Sequence, residues 1–335
     1  MKINIGVNGL GRIGKNVLRR FFETTYQNLN LVAINIGKSN IESKLHLLKY
    51  DSIHGIFKGI DYIQDDKISI NGSIVHLIKE NSIKDIEWSR YNVTLVLECT
   101  GMFNDRLLSL EHIKQGVKQV VISSICKNAD KTIIMGVNQK ALSLNDEIVS
   151  IGSCTTNCLA PIATILDKNL NIRSGFVTTI HSYTNDQRII DASHQDVRRA
   201  RAAAISMIPT TTNVAKAIGT VLPNLQGKID GAAIRVPTPN VSMIDFTFIS
   251  DKNTSPTEIN KIIYEASENN YREIITIVTE KMVSIDFNHM SESAIVDANE
   301  TKVVNKNFCR VVAWYDNEWA FSCRMLEVAD LIARL

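Results

Sequence analysis

Cys154 stands in the hexapeptide Ser153–Cys158, where the β-branched run 147–151 gives way to residues 158–166, whose apolar side chains recur at helical spacing. Gly152 and Ser153 make the turn between the two. A thiol at the start of a helix faces free amides and the positive end of the helix dipole, so Cys154 is expected to be partly thiolate and to act as a nucleophile. The same amides can hold an oxyanion forming at a carbonyl carbon under attack. His181 closes the apolar run 176–182, where an imidazole could pair with that thiolate and serve as acid and base toward a substrate oxygen. Cys99, Cys126, Cys158, Cys309 and Cys323 are read as small buried hydrophobes. A metal held by Cys154, Cys158 and His181 is set aside, because structural zinc takes four ligands and these spacings fit no familiar zinc pattern; no metal is expected.

The elements that must position this chemistry begin with a short β run at 2–7, then Asn8, Gly9, Leu10, Gly11, Arg12, Ile13 and Gly14, then a helical pattern through Val17, Leu18, Phe21 and Phe22. Strand, glycine turn and helix occur in the order a dinucleotide site needs: Gly9 for the tight turn, Gly11 for close approach of a pyrophosphate, Gly14 for helix–strand packing. A second strand is expected at 29–35, and its end usually carries an acidic residue for the adenine ribose. Here no carboxylate follows Asn35 until Glu42, whereas Lys38 and Ser39 could bind a 2′-phosphate, so the turn leans toward NADP; the alternative is that Lys38 is a solvated loop lysine.

Farther along, 45–50 reads as helix and 51–72 as a polar excursion with a short strand at 68–70, followed by one at 74–78. Residues 93–99 read as a buried parallel strand ending at the cofactor crevice, and 117–124 and 132–137 extend its sheet. Residues 1–152 are therefore expected to form an α/β dinucleotide-binding domain on a Rossmann-type, doubly wound parallel sheet. After the cysteine helix, strands follow one another at 176–182, 232–236, 241–249, 282–285, 294–297 and 310–315, with helices at 211–222, 255–268 and 318–335. That texture predicts an α+β catalytic domain at 153–317 on a larger, mainly antiparallel sheet, and the lack of a Gly/Ser linker means that the two domains abut.

Composition agrees with two domains: 335 residues, 44% hydrophobic and 21% charged, with no apolar run long enough for a membrane span. The amino terminus enters a strand without a signal-peptide pattern, and six cysteines in so long a chain are no disulfide framework, so a cytoplasmic protein is expected. A net charge of +2 recruits no nucleic acid globally, which leaves the cluster Arg198, Arg199 and Arg201 to be explained locally.

Seven segments, Gly9–Gly14, Leu47–Asp51, Ser153–Cys158, His181–Gln187, Arg198–Ala203, Arg235–Val241 and Trp314–Trp319, together resemble the phosphorylating glyceraldehyde-3-phosphate dehydrogenase family, from residue 3 to the end. The resemblance implies an aldehyde dehydrogenase of glycolysis or gluconeogenesis in which Cys154 attacks the aldehyde, a thiohemiacetal gives its hydride to NAD(P), and inorganic phosphate cleaves the resulting thioester to 1,3-bisphosphoglycerate. It further implies that Thr184 and Arg235 hold the substrate phosphate and that Ser153, Arg199 and Thr212 hold the attacking phosphate, with Thr155 and Asn213 counted in the same substrate set. Two anions meeting at one carbon need such fixed cations and donors. Arg12, Ile13, Asn35, Thr100, Ser123 and Asn317 match cofactor positions, the closing helix 318–335 is expected to pack back on the first domain, and the loop from Ser182 to about Ile205 resembles a subunit contact of a homotetramer.

Several positions depart from the family pattern. Ile36 replaces the ribose-binding aspartate, and Ser193 stands where strictly NAD-using members tend to carry proline; both favour NADP without excluding dual use. Asn213 replaces a glycine, Ile151 and Gly152 an Asn-Ala pair, and Ala320 and Phe321 a Gly-Tyr pair. Two alternatives are erythrose-4-phosphate dehydrogenase, a family branch that tends to release a free acid, and a nucleic-acid-binding protein that kept the fold; Thr184–Gln187 with Pro209–Thr212 argue against the first, and the presence of both Cys154 and His181 against the second. Ile36→Asp is expected to move the NADP-to-NAD ratio of kcat/KM toward NAD, by roughly the 1 to 3 kcal/mol of a hydrogen bond to a charged group. An unchanged ratio would contradict this reading of the turn.

Overall fold

The computed structural model describes residues 2–63 and 66–335. The chain divides into two compact units, one running to Ser153 and joined by Phe321–Leu335, the other comprising Cys154–Ala320. The expected excursion at 51–72 includes Gln64 and Asp65, which lie outside the described residues.

In the first unit, apolar runs without strict alternation become strands buried in a parallel sheet. Among the described residues this sheet has nine strands, in the spatial order Lys131–Thr132, Ile148–Ser150, Gln119–Ile122, Leu95–Glu98, Ile3–Asn8, Leu29–Asn35, Ser73–Ile78, Lys67–Ile70 and Ile60–Ile63. All pairings up to Ser73–Ile78 are parallel, and the last two strands add on antiparallel, giving a Rossmann-type doubly wound sheet with a small edge extension. The first strand of the chain sits in the middle, and its register places Asn8 beside Asn35 on one side and Glu98 on the other. The carboxyl ends of three strands are thereby aligned where the helix Arg12–Glu23 begins.

The glycine turn shows why small residues are required. Gly9 adopts φ 97°, and a Cβ there would lie 2.8 Å from the Thr100 side chain; a Cβ on Gly14 would lie 2.0 Å from the Gly9 carbonyl oxygen. Gly11 differs, since a Cβ there would meet nothing within 4 Å.

The second unit is built on the helix Cys154–Leu170, whose residues 155–163 are all buried. It packs against helices Val214–Val221 and Pro256–Ser267 and against its own sheet, and an apolar surface on every side suits that position. Strands run in the order Ile208–Thr210, Ile229–Val236, Ile172–Ser182, Ser242–Ser250, Phe308–Tyr315, Ala294–Asp297 and Ile275–Val278, with Lys302–Val304 added on Phe308–Tyr315. Among the described residues five pairings are antiparallel and two parallel.

Some expectations fail for local reasons. The second sheet is not the larger one, with eight strands against nine, because the edge strands Lys67–Ile70 and Ile60–Ile63 enlarge the first. The strand expected at 132–137 stops at Thr132: the Asn138 side chain accepts from Ile134 N and donates to the Thr132 carbonyl, both at 2.8 Å, and folds the segment into a turn. Residues 282–285 form no strand, since the Asp286 carboxylate captures Val283 N at 2.8 Å and starts the 3-10 turn Ser284–Phe287, while Ile275–Val278 supplies a strand instead. The helix expected at 211–222 begins only at Val214, where Thr212 Oγ1 accepts from Val214 N at 3.2 Å.

Gly14→Ala is expected to lower stability by roughly 2 to 3 kcal/mol, because a backbone oxygen cannot yield as a side chain does, whereas Gly11→Ala should change it by less than about 1 kcal/mol. Chemical denaturation of both variants measures the difference; equal losses would contradict the packing described.

Candidate active site

The cysteine helix begins at Cys154 itself, earlier than the apolar periodicity indicates, so the thiol occupies the first helical residue. The strand Ile172–Ser182 delivers His181 opposite it, with Cys154 Sγ 3.4 Å from His181 Nε2. The other imidazole nitrogen, Nδ1, lies 2.7 Å from the Ser182 carbonyl oxygen. A carbonyl only accepts and calls for the proton on Nδ1, whereas Arg235 Nη1, which only donates, lies 3.0 Å from the same nitrogen; with Nδ1 protonated, Nε2 presents its lone pair to the thiol. Arg235 Nη1 donates to the same carbonyl at 3.0 Å and to Thr184 Oγ1 at 3.4 Å, which places a cation and a hydroxyl beside the pair.

The electrostatics revise one expectation. Burial raises the Cys154 thiol above its usual range, against the pull of Arg235 and of N–H groups from Thr155 and Cys154 itself. Burial, reinforced by the Arg235 charge, brings His181 down to about 3. Desolvation thus opposes either charge alone, and a freely ionised resting thiolate is not what this environment favours. His181 Nε2, at 3.4 Å, is within reach of the thiol proton. Cys154 stays partly open to solvent, while the other five cysteines are buried.

Three residues that the sequence reading left without a role, Tyr315, Ser182 and Ser242, hold this geometry. Tyr315 OH bridges Thr155 Oγ1 at 2.9 Å and Thr179 Oγ1 at 3.0 Å, tying the first turn of the cysteine helix to the histidine strand, and its ring stands edge-on to His181. Ser182 and Ser242 both donate to Asn317 Oδ1 at 2.9 Å, so the Asn317 carboxamide is held with its NH2 directed away from them. A tyrosine closing the apolar run 311–314 was the available signal, since a buried hydroxyl needs a partner.

The expected anion-binding residues fall into two groups. Thr184 and Arg235 lie together beside His181. Arg199 donates from Nε to Thr210 Oγ1 at 2.9 Å and is ion-paired with Asp186, close enough for its charge to act on both His181 and Arg235. Thr212 caps Val214, and the side chain of Asn213 makes no capping bond although it precedes the same helix. Ser153 is half-buried at the end of the first unit.

Within the first unit, the helix Arg12–Glu23 has Gly11 as its cap and no side-chain cap bond, so its first amides face the open space above Gly11. This arrangement fits a dinucleotide pyrophosphate. Arg12 is occupied by a bidentate pair with Asp51, and Ile13 is half-buried. Asn35 is a structural pin: its amide donates to Asn8 Oδ1 and the Glu80 carbonyl, and its oxygen accepts from Gly37 N and Glu80 N. Ser123 N donates to the Glu98 carbonyl, holding the strand end beside Thr100. Ile36 is buried, Lys38 is exposed, and the turn they share carries no carboxylate. Ser193 is exposed on the loop of the second unit, its carbonyl accepting from Arg188 Nε at 3.0 Å.

A glycine turn feeding a helix in one unit and a cysteine–histidine pair in the other are features that suit a dinucleotide-dependent oxidoreductase. Residues 3–106 match the model of the glyceraldehyde 3-phosphate dehydrogenase NAD binding domain, and residues 153–317 that of the glyceraldehyde 3-phosphate dehydrogenase C-terminal domain. The chain is 44% identical over 333 residues to glyceraldehyde-3-phosphate dehydrogenase 2 of Nostoc sp., covering 99% of this chain and 98% of that one. It is 43% identical over 335 residues to the glyceraldehyde-3-phosphate dehydrogenase of Cereibacter sphaeroides, covering both chains fully, and 41% identical over 333 residues to a chloroplastic one of Arabidopsis thaliana, covering 99% of this chain and 84% of that one. The chain belongs to the glyceraldehyde-3-phosphate dehydrogenase family.

Iodoacetamide is expected to label Cys154 ahead of the other five cysteines, and His181→Asn to slow that labelling at pH 7 by about 10- to 100-fold, because the thiol then has no base to relieve its raised pKa. Equal labelling rates in the two proteins would show that the imidazole does not activate the sulfur.

Proposed function

We propose that this protein is a phosphorylating glyceraldehyde-3-phosphate dehydrogenase that converts glyceraldehyde 3-phosphate and inorganic phosphate to 1,3-bisphosphoglycerate, in glycolysis or gluconeogenesis. The observation that carries the reading is the 3.4 Å contact of Cys154 Sγ with His181 Nε2, next to Arg235 and Thr184. As sulfur bonds to the aldehyde carbon, its proton passes to His181 Nε2 and then to the new oxyanion, leaving a thiohemiacetal. The bound dinucleotide supplies the hydride acceptor. His181 takes the hydroxyl proton as the hydride leaves, and the Cys154 thioester remains. A phosphate oxygen then attacks the thioester carbonyl, the C–S bond breaks, and the departing sulfur recovers its proton from His181. In this reading Arg235 and Thr184 hold the substrate phosphate and Ser153, Arg199 and Thr212 the attacking one, with Thr155 and Asn213 counted in the same substrate set.

The first unit is proposed as the dinucleotide-binding domain, with the closing helix counted to it, and the second as the catalytic domain. Gly9, Gly11, Arg12, Ile13, Asn35, Lys38, Thr100, Ser123, Ser193 and Asn317 are assigned to the cofactor. NADP, or both cofactors, is the proposed preference, supported by the buried Ile36 and the exposed Lys38. A homotetramer is supported by the apolar side chains that the loop at 183–207 exposes, among them Ile189, Ile205 and Met207, each more than three-quarters exposed. Among the described residues no helix is long and apolar enough to cross a membrane, and a cytoplasmic location is proposed.

Steady-state rates with glyceraldehyde 3-phosphate and with erythrose 4-phosphate, each with and without phosphate, test the assignment. Faster turnover of the triose, dependent on phosphate, is expected. Faster turnover of the tetrose, indifferent to phosphate, would assign the protein to the other branch.

A further inference from the structure

The first unit buries a carboxylate for which the mechanism above has no use. Glu98, 1% exposed, ends the strand beside Ile3–Asn8 and accepts four hydrogen bonds: from Asn8 Nδ2 at 2.6 Å, Thr100 N at 2.7 Å, Thr100 Oγ1, and His112 Nε2 at 3.0 Å. His112 is wholly buried, and its Nδ1 accepts from Trp88 Nε1 at 2.9 Å, which fixes the proton on Nε2 and makes the histidine a donor to Glu98. Asn8 in turn accepts from Asn35 Nδ2 at 2.7 Å, and Asn35 holds Gly37 and Glu80. One chain of bonds therefore runs from the core tryptophan through Glu98 to the ends of three parallel strands.

We infer that Glu98 is the positioning residue of the dinucleotide site, setting the spacing between the Gly9 turn and Thr100 through Asn8 and His112. Glu98 does not reach the cofactor edge itself; it acts through its neighbours. Asn8 directly precedes Gly9, and the Gly9 backbone faces Thr100 so closely that a Cβ there would lie 2.8 Å from the Thr100 side chain. Backbone bonds already pair these strand ends, Cys99 N to the Asn8 carbonyl at 2.8 Å and Gly9 N to the Asn35 carbonyl at 2.9 Å, and a buried carboxylate with four donors adds rigidity behind them because any displacement strands a charge. The identity of the residue matters as much as its place. A glutamine has one acceptor oxygen, and whichever way its amide turns, the NH2 meets N–H donors, either Asn8 and His112 or the Thr100 amide. His112 cannot switch tautomer to accommodate it, because Trp88 already donates to Nδ1.

The inference rests on the reading that this chain binds a nicotinamide dinucleotide, and direct binding to the unliganded chain separates the two. NAD and NADP are titrated calorimetrically into wild type, Glu98→Gln, His112→Gln and His112→Leu, with the thermal midpoint of each recorded without ligand. Glu98→Gln is expected to weaken binding by about tenfold or more, on the scale of a lost hydrogen bond to a charged group. His112→Leu should weaken it several-fold, and His112→Gln, which can still donate to Glu98 and accept from Trp88, should stay within about twofold of wild type. The two histidine variants keep the test decisive if Glu98→Gln does not fold. Tight wild-type binding that is unchanged in Glu98→Gln and His112→Leu overturns the inference alone, as does a lowered thermal midpoint with unaltered affinity or a His112→Gln as weak as His112→Leu. A wild-type chain that binds neither dinucleotide removes the functional reading and this inference with it.

Discussion

The chemistry proposed for this protein depends on how His181 is held against Cys154. Ser182 O lies 2.7 Å from His181 Nδ1 and calls for a proton there, while Arg235 Nη1, a donor only, stands 3.0 Å from the same nitrogen. Only with the proton on Nδ1 does Nε2 offer a lone pair to the thiol, which is the form that the proposed proton transfer uses. The carbonyl is itself fixed: Arg235 donates to it, and Ser182 N is bonded to Ser242 Oγ at 3.1 Å. Its strand is locked on both sides, with Arg235 directly opposite His181 in the parallel neighbour. The placement of His181 is thus a property of the sheet as much as of the side chain.

The same neighbourhood explains why burial does not defeat reactivity. Sulfur and imidazole each lose solvation, so neither charge is favoured alone, yet moving a proton between them creates both charges at once and leaves the net charge unchanged. Arg235 favours the sulfur anion and disfavours the imidazolium, a compromise that suits the anionic substrates proposed for this site. Tyr315 adds no charge, since burial holds its hydroxyl far above the ordinary phenol range, and it serves as a neutral bridge between helix and strand.

Much of this was legible in the sequence where one signal dominates. The strand Leu29–Asn35 follows its apolar pattern residue for residue, and Gly9–Gly14 predicts a strand–turn–helix because positive φ and close backbone approach leave few alternatives. Side-chain capture of backbone groups is harder to read: Asn138 and Asp286 each turn an apolar run away from strand pairing, and nothing in local periodicity reveals that. Pairing across long separations is hidden for another reason. The partnership of Arg12 with Asp51, of Asp186 with Arg199 and of Glu98 with Asn8 depends on topology, so residues expected to meet ligands are also found bracing one another. The helix-terminal position of Cys154 was readable, whereas the desolvation that opposes its ionisation emerges only from the packing around it.

The most direct test is the mass of the Cys154 peptide after the enzyme has been mixed with glyceraldehyde 3-phosphate and oxidised dinucleotide, without phosphate, and quenched in acid. The account expects a 3-phosphoglyceroyl adduct on Cys154, formed with one equivalent of reduced dinucleotide per site and discharged when phosphate is added. Reduced dinucleotide formed with Cys154 unmodified, or an adduct on another cysteine, would contradict it.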